Sequence, residues 1–485
     1  MVGLTTTVAL AVIGASPPFS LGVGPVKPRA VGPAKPNILL IISEDNGPEL
    51  GCYGEPYVKT PHLDRLAAEG VRFERAYVPQ AGCSQSRAAY LTGLYPHQNG
   101  QIGLATWKFR MYSEKTPNLV RSLKQAGYRT GIIGKLHVNP ASAFPFDFTK
   151  IPSSNFGRKK LKDYANKAGH FINSSENPFF LSVNYPDPHR PFTKKVGGLP
   201  KNPLTAAEVK PFAYFGPGVD TPDLREQVAN YYNCMSRLDS LVGDLLEVLQ
   251  TSGKADNTLI IYFGDHGADL LRGKRTSYEG GVRVPLIVKW GDRWKSIRPE
   301  LVSTLDLMPT LLEAGGAESV PHLPGRSLVP LLDNKAKDWR THLFTEFHIH
   351  SAHNYYPQRT VRNDRFKLIQ NLMPDEVNPG YDFAINRFFA GLQNVIHSAP
   401  EPVGGAYARM RRPPEFELYD LREDPHEFIN LAGLARHATT LASLRRRLAS
   451  WRKATNDPLL KRRNIYRLKQ EIEACFKDGQ AEKDR

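Results

Sequence analysis

Apolar residues recur along this chain in two patterns, which predict alternating strands and helices. Short continuous apolar runs are typical of parallel strands that are buried on both faces. Apolar residues at every third or fourth position are typical of amphipathic helices. The predicted strands are residues 37–43, 130–134, 179–185 and 258–263.

Capping residues mark where the predicted helices begin and end. Thr60 opens one helix and Gly70 ends it, a second helix covers residues 118–126, and a long third helix begins at Thr221. Because strand, polar loop and helix follow one another repeatedly, the sequence predicts an α/β fold with a large, mostly parallel mixed sheet flanked by helices.

The pattern changes near residue 335. Apolar runs at residues 344–347, 365–369 and 416–420 predict a smaller antiparallel sheet, and helical spacing around Leu444 predicts a helix beside it. The expected segments are a signal peptide with linker (1–35), the main α/β domain that carries the candidate site (36–335), a C-terminal α+β subdomain (336–460) and a charged tail (461–485).

The N-terminal sixteen residues are small and apolar, as in the hydrophobic segment of a secretory signal. No Lys or Arg precedes Lys27, so the basic part of such a signal is weak. We nevertheless favour export, which makes a secreted or periplasmic protein the expectation. No other apolar run is long enough to form a stable membrane span.

The formal net charge of +16 favours a polyanionic partner: nucleic acid, anionic lipid or sulfated glycan. No nucleic-acid-binding module is recognisable, so we expect a sulfated glycan and no nucleic acid. The alternative is that the charge only aids solubility. The oligomeric state stays open, with a homodimer as one alternative.

Polar side chains follow each predicted parallel strand. The carboxyl ends of parallel strands meet at one edge of a sheet, where ligands bind. Carboxylates suit a hard divalent cation, and Lys, His and Arg side chains bind anionic oxygens or move protons. Taken singly, each residue has a structural alternative as a cap or a solvated turn. The candidates are Glu44, Asp45, Lys135, His137, His189, Asp265 and His266.

The segment from Cys83 through Gln85 to Arg87, followed by a run ending in Thr92-Gly93, resembles the signature of the sulfatase family. In that family a maturation enzyme oxidises the cysteine to formylglycine, an aldehyde whose hydrate is the nucleophile. Gln85 stands where most sulfatases have Pro or Ala. On the residues alone, a lone cysteine is more often a small buried apolar residue, and that alternative stays open. The four cysteines are too scattered for a disulfide framework or a zinc motif.

The resemblance runs from about residue 36 to residue 458. Besides the segment around Cys83, the matching motifs within this range are residues 134–137, 273–285 and 418–431. It implies one Ca²⁺ ion held by Glu44, Asp45, Asp265 and His266 together with position 83. Because calcium prefers oxygen ligands, two alternatives stay open for His266: a transition metal in place of calcium, or a position just outside the ligand shell. The implied catalytic residues are Cys83, Arg87, Lys135, His137, His189 and Lys274.

Within the family, four strings most resemble sulfatases that remove N-sulfate from the glucosamine of heparan sulfate: residues 91–100, 131–138, 145–148 and 187–190. His350 and Arg359 are candidate substrate contacts, with surface positions as the equal alternative. The hypothesis is a formylglycine-dependent sulfatase acting on an N-sulfated or O-sulfated saccharide. The alternatives are a phosphodiesterase or phosphonate hydrolase of the same superfamily, and a glycan-binding protein with unconverted Cys83.

Overall fold

The predicted apolar runs form the centre of an eight-stranded sheet with the order β4-β3-β5-β1-β6-β7-β2-β8. Every residue of β1 is buried. Only β7 runs antiparallel to its neighbours β6 and β2, so the large, mostly parallel mixed sheet is confirmed. The strands are β1 (Asn37–Ser43), β2 (Val71–Tyr77), β3 (Arg129–Gly134), β4 (Phe148–Lys150), β5 (Phe179–Asn184), β6 (Thr258–Gly264), β7 (Arg283–Trp290) and β8 (Ser296–Ser303).

This computed structural model describes residues 35–351, 354–374 and 376–481, with side chains as far as residue 475. The predicted signal segment at residues 1–16 lies outside the described residues. The described residues from 35 onward form one compact unit. Within the described part of the chain, no helix has the length and apolar character needed to cross a bilayer.

Helices cover both faces of the large sheet. The longest helix, α6, begins where the sequence predicts, and the Thr221 side chain caps it by accepting a hydrogen bond from the Leu224 N–H at 3.1 Å. The helices are α1 (Pro61–Glu69), α2 (Cys83–Thr92), α3 (Pro96–Asn99), α4 (Leu119–Gln125), α5 (Asp163–Asn173), α6 (Pro222–Thr251), α7 (Glu279–Val282), α8 (Leu307–Ala314), α9 (Val329–Leu332), α10 (Pro379–Phe388), α11 (Gln393–His397), α12 (Val403–Arg411), α13 (Ala438–Ala454) and α14 (Arg462–Ala481).

A second sheet of four antiparallel strands follows, in the order β12-β11-β10-β9. Leu444, Leu448 and Trp451 of α13 pack against one of its faces. The sequence predicted three of these strands and α13, but not β10. The strands are β9 (Leu343–Phe347), β10 (Gln358–Arg362), β11 (Phe366–Asn371) and β12 (Phe416–Asp420).

The strand register brings the polar loops together at one level of the large sheet. Ser43 at the end of β1 pairs with Gly264 of β6, and Asn184 at the end of β5 pairs with Gly134 of β3. A Cβ atom on Gly134 would lie 2.1 Å from the Asn184 carbonyl oxygen, so only glycine allows this approach. The four loops that follow β1, β3, β5 and β6 therefore begin side by side.

Candidate active site

Backbone hydrogen bonds join the loops at the carboxyl edge of the large sheet. The Glu44 N–H donates to the Asp187 carbonyl at 3.1 Å, and the Asp265 N–H donates to the Ser43 carbonyl at 3.0 Å. The Asp45 N–H donates to the Asp265 carboxylate at 2.9 Å. The predicted meeting of these polar residues at one edge is thus present in the structure.

Cys83 is the first residue of α2 and points into this cluster. It is 2% exposed, and all ten residues of α2 are buried. Its Sγ lies 3.4 Å from His266 Nε2 and 4.0 Å from Asp45 Oδ1. Burial raises the pKa of the Cys83 thiol, and the opposing charges of Lys135 and Lys274 do not offset this. The thiol is therefore protonated in the folded protein.

Arg87 lies one helical turn after Cys83 and binds residues from several strand ends. Its Nη2 donates to Glu44 at 2.8 Å, and its Nε donates to Asp265 at 3.1 Å. Its Nη1 donates to the Asn184 side chain at 2.7 Å and to the Lys135 carbonyl at 2.9 Å. With 0% exposure, this guanidinium fixes α2 against the ends of β1, β3, β5 and β6.

Two lysines neutralise the remaining carboxylate charge. Lys135 Nζ pairs with Glu44, and Lys274 Nζ contacts both oxygens of Asp45, at 2.9 and 3.0 Å. Burial alone would raise the pKa of Glu44, but Lys135 and Arg87 hold it well below its ordinary value. Burial would likewise raise the pKa of Asp45, but Lys274 opposes this effect, and the pKa of Asp45 is lowered. Both carboxylates are ionised.

The donor atoms at this edge fit a divalent cation. Cys83, Asp265 and His266 each place a ligand atom within 4.8 Å of the others, as do Glu44, Asp45, Cys83 and His189. His266 Nδ1 lies 2.9 Å from the Gly267 carbonyl oxygen, which makes Nδ1 the protonated nitrogen. Nε2 is therefore the ring nitrogen left to bind a metal, and it lies 3.3 Å from Asp45 Oδ1. Both oxygens of Glu44 are paired with cations, as are both oxygens of Asp45, so a bound metal would replace part of this pairing.

The two other histidines differ in their surroundings. His189 stacks on Phe156 with ring centroids 3.7 Å apart, and its Nε2 lies 3.8 Å from Asp45. His189 also borders an open groove of about 460 Å³ that includes Arg190 and Arg387. Both ring nitrogens of His137 are buried without a hydrogen-bond partner. Burial first, and then Lys135, lowers the pKa of His137 to about 2, so its ring is neutral.

The two candidate substrate contacts are both buried, so the surface alternative is wrong for them. His350 is 8% exposed, and its Nε2 is buried without a partner. Burial, followed by Lys274 and Arg275, holds the pKa of His350 well below its ordinary value, so the ring is neutral. The position next to these cations keeps His350 in the candidate site.

Arg359 lies inside a separate ion-pair network. It is 0% exposed, and its Nε and Nη2 donate to Asp457 at 3.0 and 2.8 Å. Its Nη1 donates to the carbonyls of Phe347 and Gln358, and its Nη2 also contacts His348. All its N–H groups are used within the protein. The predicted substrate contact by Arg359 does not fit this geometry.

Three polar residues that the sequence analysis did not list as candidate site residues hold the site in place. Asn184, at the end of β5, binds Arg87. Asp187 accepts hydrogen bonds from Arg158 at 2.6 Å and from Arg237 at 2.6 and 2.7 Å. Gln85 Nε2 donates to the Ile349 carbonyl at 2.6 Å, directly before His350. The position of Asn184 at the end of a predicted strand is the sequence signal that could have identified it. The partners of Gln85 and Asp187 are distant in sequence, so no local pattern indicates their contacts.

Family models and known proteins resemble this chain over most of its length. The model described as Sulfatase matches residues 36–317, and the model described as N-sulphoglucosamine sulphohydrolase, C-terminal, matches residues 264–395. The chain is 35% identical to N-sulphoglucosamine sulphohydrolase of Homo sapiens, over 87% of this chain and 91% of that protein. It is 30% identical to arylsulfatase A of Homo sapiens, over 83% of this chain and 85% of that protein.

Solved structures extend the likeness in fold. The phosphonate monoester hydrolase of Silicibacter pomeroyi superposes with a TM-score of 0.65 at 21% identity, covering 87% of this chain and 96% of that one. At this identity the likeness concerns the fold alone. The fold is therefore shared by enzymes that act on different anionic esters, and the choice of reaction depends on the residues at the carboxyl edge of the sheet.

Proposed function

This chain belongs to the sulfatase family, and from that premise we propose that it removes sulfate from a sulfated saccharide, with formylglycine derived from Cys83 as the reactive residue. The observation that carries the proposal is the placement of Cys83. It lies at the start of a buried helix, within 4.0 Å of both His266 and Asp45, and one turn before the cation that joins the strand ends. The proposed substrate is N-sulfoglucosamine in a heparan-type glycan, or a related carbohydrate O-sulfate.

The proposed metal site consists of Asp45, Asp265 and His266 together with residue 83, with Glu44 as a further carboxylate. A bound Ca²⁺ ion would supply positive charge that lowers the pKa of a neighbouring hydroxyl and stabilises negative charge on oxygen. Arg87 holds Asp265 in place through its Nε. Glu44 and Asp45 are ionised without a metal, because Lys135 and Arg87 lower the pKa of Glu44 and Lys274 lowers that of Asp45.

The remaining residues are assigned roles from their surroundings. Lys135 and Lys274 are buried cations that would bind sulfate oxygens, and sulfate would then replace part of their present pairing with carboxylates. His137 is neutral with two unpartnered ring nitrogens, so it can donate one hydrogen bond and accept another. His189 borders the groove and is the proposed proton donor to the departing oxygen or nitrogen.

The experiment that tests the nucleophile is mass spectrometry of the tryptic peptide 76–87, from protein made in its native host. Formylglycine at position 83, with hydrolysis of an aryl sulfate, is the expected result. The matched control is Cys83→Ser, which should leave the fold intact and abolish hydrolysis. Unmodified Cys83 in the native protein, or full activity of the serine variant, would contradict the proposal.

A separate experiment tests the metal without relying on activity. A cation that binds only the folded protein raises its melting temperature as the cation concentration rises. After treatment with a chelator, added Ca²⁺ should raise the melting temperature of the wild type but not that of Asp265→Asn. Parallel titration with Mn²⁺ and Zn²⁺ tests whether His266 shifts the preference to a transition metal. An equal response of the two proteins would place the ion elsewhere.

A further inference from the structure

Helix α13 and the chain from there to the first turns of α14 carry exposed cations and almost no acidic residues. Residues 431–470 contain eleven Lys or Arg residues and one acidic residue, Asp457. Asp457 is buried and already paired with Arg359 and Arg452. We call seven exposed cations of this stretch the basic ridge: Arg445, Arg446, Arg447, Lys453, Lys461, Arg462 and Arg463.

Within the described part of the protein, no acidic side chain forms an ion pair with a cation of the basic ridge. The neighbouring ion pairs are made by residues outside the ridge, such as Arg467 with Glu471 and Lys469 with Glu376. Helix α13 contains no acidic residue, so its arginines have no partner one turn away. The ridge cations are therefore available to an external anion.

Helix stability does not account for these cations either. Arg462 and Arg463 occupy the first turn of α14, which holds no acidic residue. Positive charge near a helix N-terminus is unfavourable, because the unpaired N–H groups there already carry partial positive charge. Residues that disfavour their own helix but remain exposed fit a role in binding a partner better than a role in folding.

A shallow groove lies beside Arg445 and Arg446 of the ridge. It has a volume of about 400 Å³, and its lining includes Phe416, Ala449, Leu460, Arg445 and Arg446. Arg445 lies over the Phe416 ring at 4.3 Å, which restrains its guanidinium. Leu460 is 43% exposed and directly precedes Lys461. A groove lined by both apolar side chains and arginines suits a chain that has C–H faces and regularly spaced anionic groups.

We propose that the basic ridge is a second binding site, separate from the candidate active site, for a sulfated polysaccharide chain. The choice of a glycan over other polyanions rests on the proposed function. The proposal that the ridge binds a polyanion does not rest on it. No residue of the ridge lies at the carboxyl edge of the large sheet. Such a site would hold a long polyanion on the protein surface independently of the sulfate being cleaved.

The test compares two charge-matched triple variants. R445Q/R446Q/R447Q removes three ridge cations, and K150Q/K167Q/K201Q removes three exposed cations of the main domain. Binding to a heparin oligosaccharide of defined length is measured at several NaCl concentrations. Each lost contact between a cation and an anionic group lowers the slope of log affinity against log salt concentration by about one. The slope of the ridge variant should therefore be lower by about two to three, and its binding near 0.15 M salt should be at least about tenfold weaker. Equal weakening in the two variants would overturn the proposal.

Two competitors and two control measurements distinguish a glycan site from a general polyanion site. Single-stranded DNA of equal charge and vesicles of anionic lipid serve as competitors, and a ridge that prefers either one to heparin would overturn the assignment to a glycan. Aryl sulfate hydrolysis and melting temperature should be unchanged in both triple variants. If the wild type hydrolyses no sulfate but the ridge variant alone loses heparin, the proposed function fails while the ridge site stands.

Discussion

At the scale of single residues, the candidate site consists of three carboxylates and three cations that would each be costly to bury alone. Arg87 pairs with Glu44 and Asp265, and Lys274 pairs with Asp45. The sequence predicted which residue types meet, because they follow parallel strands. It did not predict which cation pairs with which carboxylate, since the partners lie 43 to 229 positions apart.

Lys274→Ala should lower kcat for an aryl sulfate by about 10²–10³, because it removes a preorganised cation from the position proposed for sulfate. Lys274→Arg keeps the charge and should retain more activity. Lys295→Ala, at an exposed position, is the control for removing a lysine. Steady-state kinetics with a melting curve of each variant provide the measurement. A kcat close to that of the wild type in Lys274→Ala would exclude this lysine from the mechanism.

Gln80 and Gln85 bind the same two carbonyls, so their contributions to stability should be coupled. Both Nε2 atoms donate to Ile102 at 3.3 Å and to Ile349, at 3.1 Å from Gln80 and 2.6 Å from Gln85. Methionine at either position keeps the volume but cannot donate. Each single variant should lose about 1 kcal/mol, and the double variant more than the sum, because the buried Ile349 carbonyl then loses both donors. Urea denaturation of the four proteins measures this, and strict additivity would contradict the shared role.

At the scale of elements, the four strands of the large sheet that the sequence predicted, β1, β3, β5 and β6, each contain a short continuous apolar run. The strand β10 was missed because its sequence is polar, although all five of its residues are buried. Its side chains are satisfied by distant partners: Arg359 by Asp457, Thr360 by Thr345 and Gln358 by Asn371. Burial of polar strands depends on partners that a local pattern cannot show.

The N-terminus of α1 is held by a residue of α6. The Asp239 carboxyl group accepts hydrogen bonds from the Leu63 N–H at 2.8 Å and the His62 N–H at 3.3 Å. Burial raises the pKa of Asp239 to about 7. Because the pKa is higher in the folded than in the unfolded state, the folded state binds the proton more tightly. Asp239 therefore makes the wild type less stable as the pH rises from about 4 to about 7.

Asp239→Asn cannot titrate, so its stability relative to the wild type should increase over the same pH range. Urea unfolding at about pH 5 and about pH 8 measures the difference. Asp244→Asn, an exposed residue on the same helix, is the matched control and should follow the wild type. If Asp239→Asn and the wild type had identical pH dependence, the buried carboxyl group would not be the titrating group.

At the scale of the whole molecule, the small sheet completes the core of the large one. Glu279, which precedes β7, pairs with Arg362 at 2.9 Å and Lys367 at 3.1 Å. The Tyr278 hydroxyl donates to Glu417 at 3.0 Å. Ala89 of α2 and Leu305 pack in the same apolar cluster as the small sheet and α13. The change in sequence pattern near residue 335 thus marks a change of sheet, while the described residues from 35 onward form one compact unit.

A chain that ends at residue 335 should therefore fail to fold stably, because it would expose this apolar cluster and leave Glu279 without its two cations. Circular dichroism during thermal melting measures the outcome, with residues 35–485 as the control. A cooperative transition in the shorter chain would show that the two sheets fold independently.

The complete burial of α2 has a consequence for the proposed conversion of Cys83. A converting enzyme needs access to the cysteine and to the chain on both sides of it, and none of these ten residues is accessible after folding. The proposed oxidation at position 83 must then compete with folding of the nascent chain, and a molecule that folds first stays inactive permanently. The specific activity of a preparation would then measure the fraction of molecules that were oxidised before they folded. Slower folding would raise this active fraction.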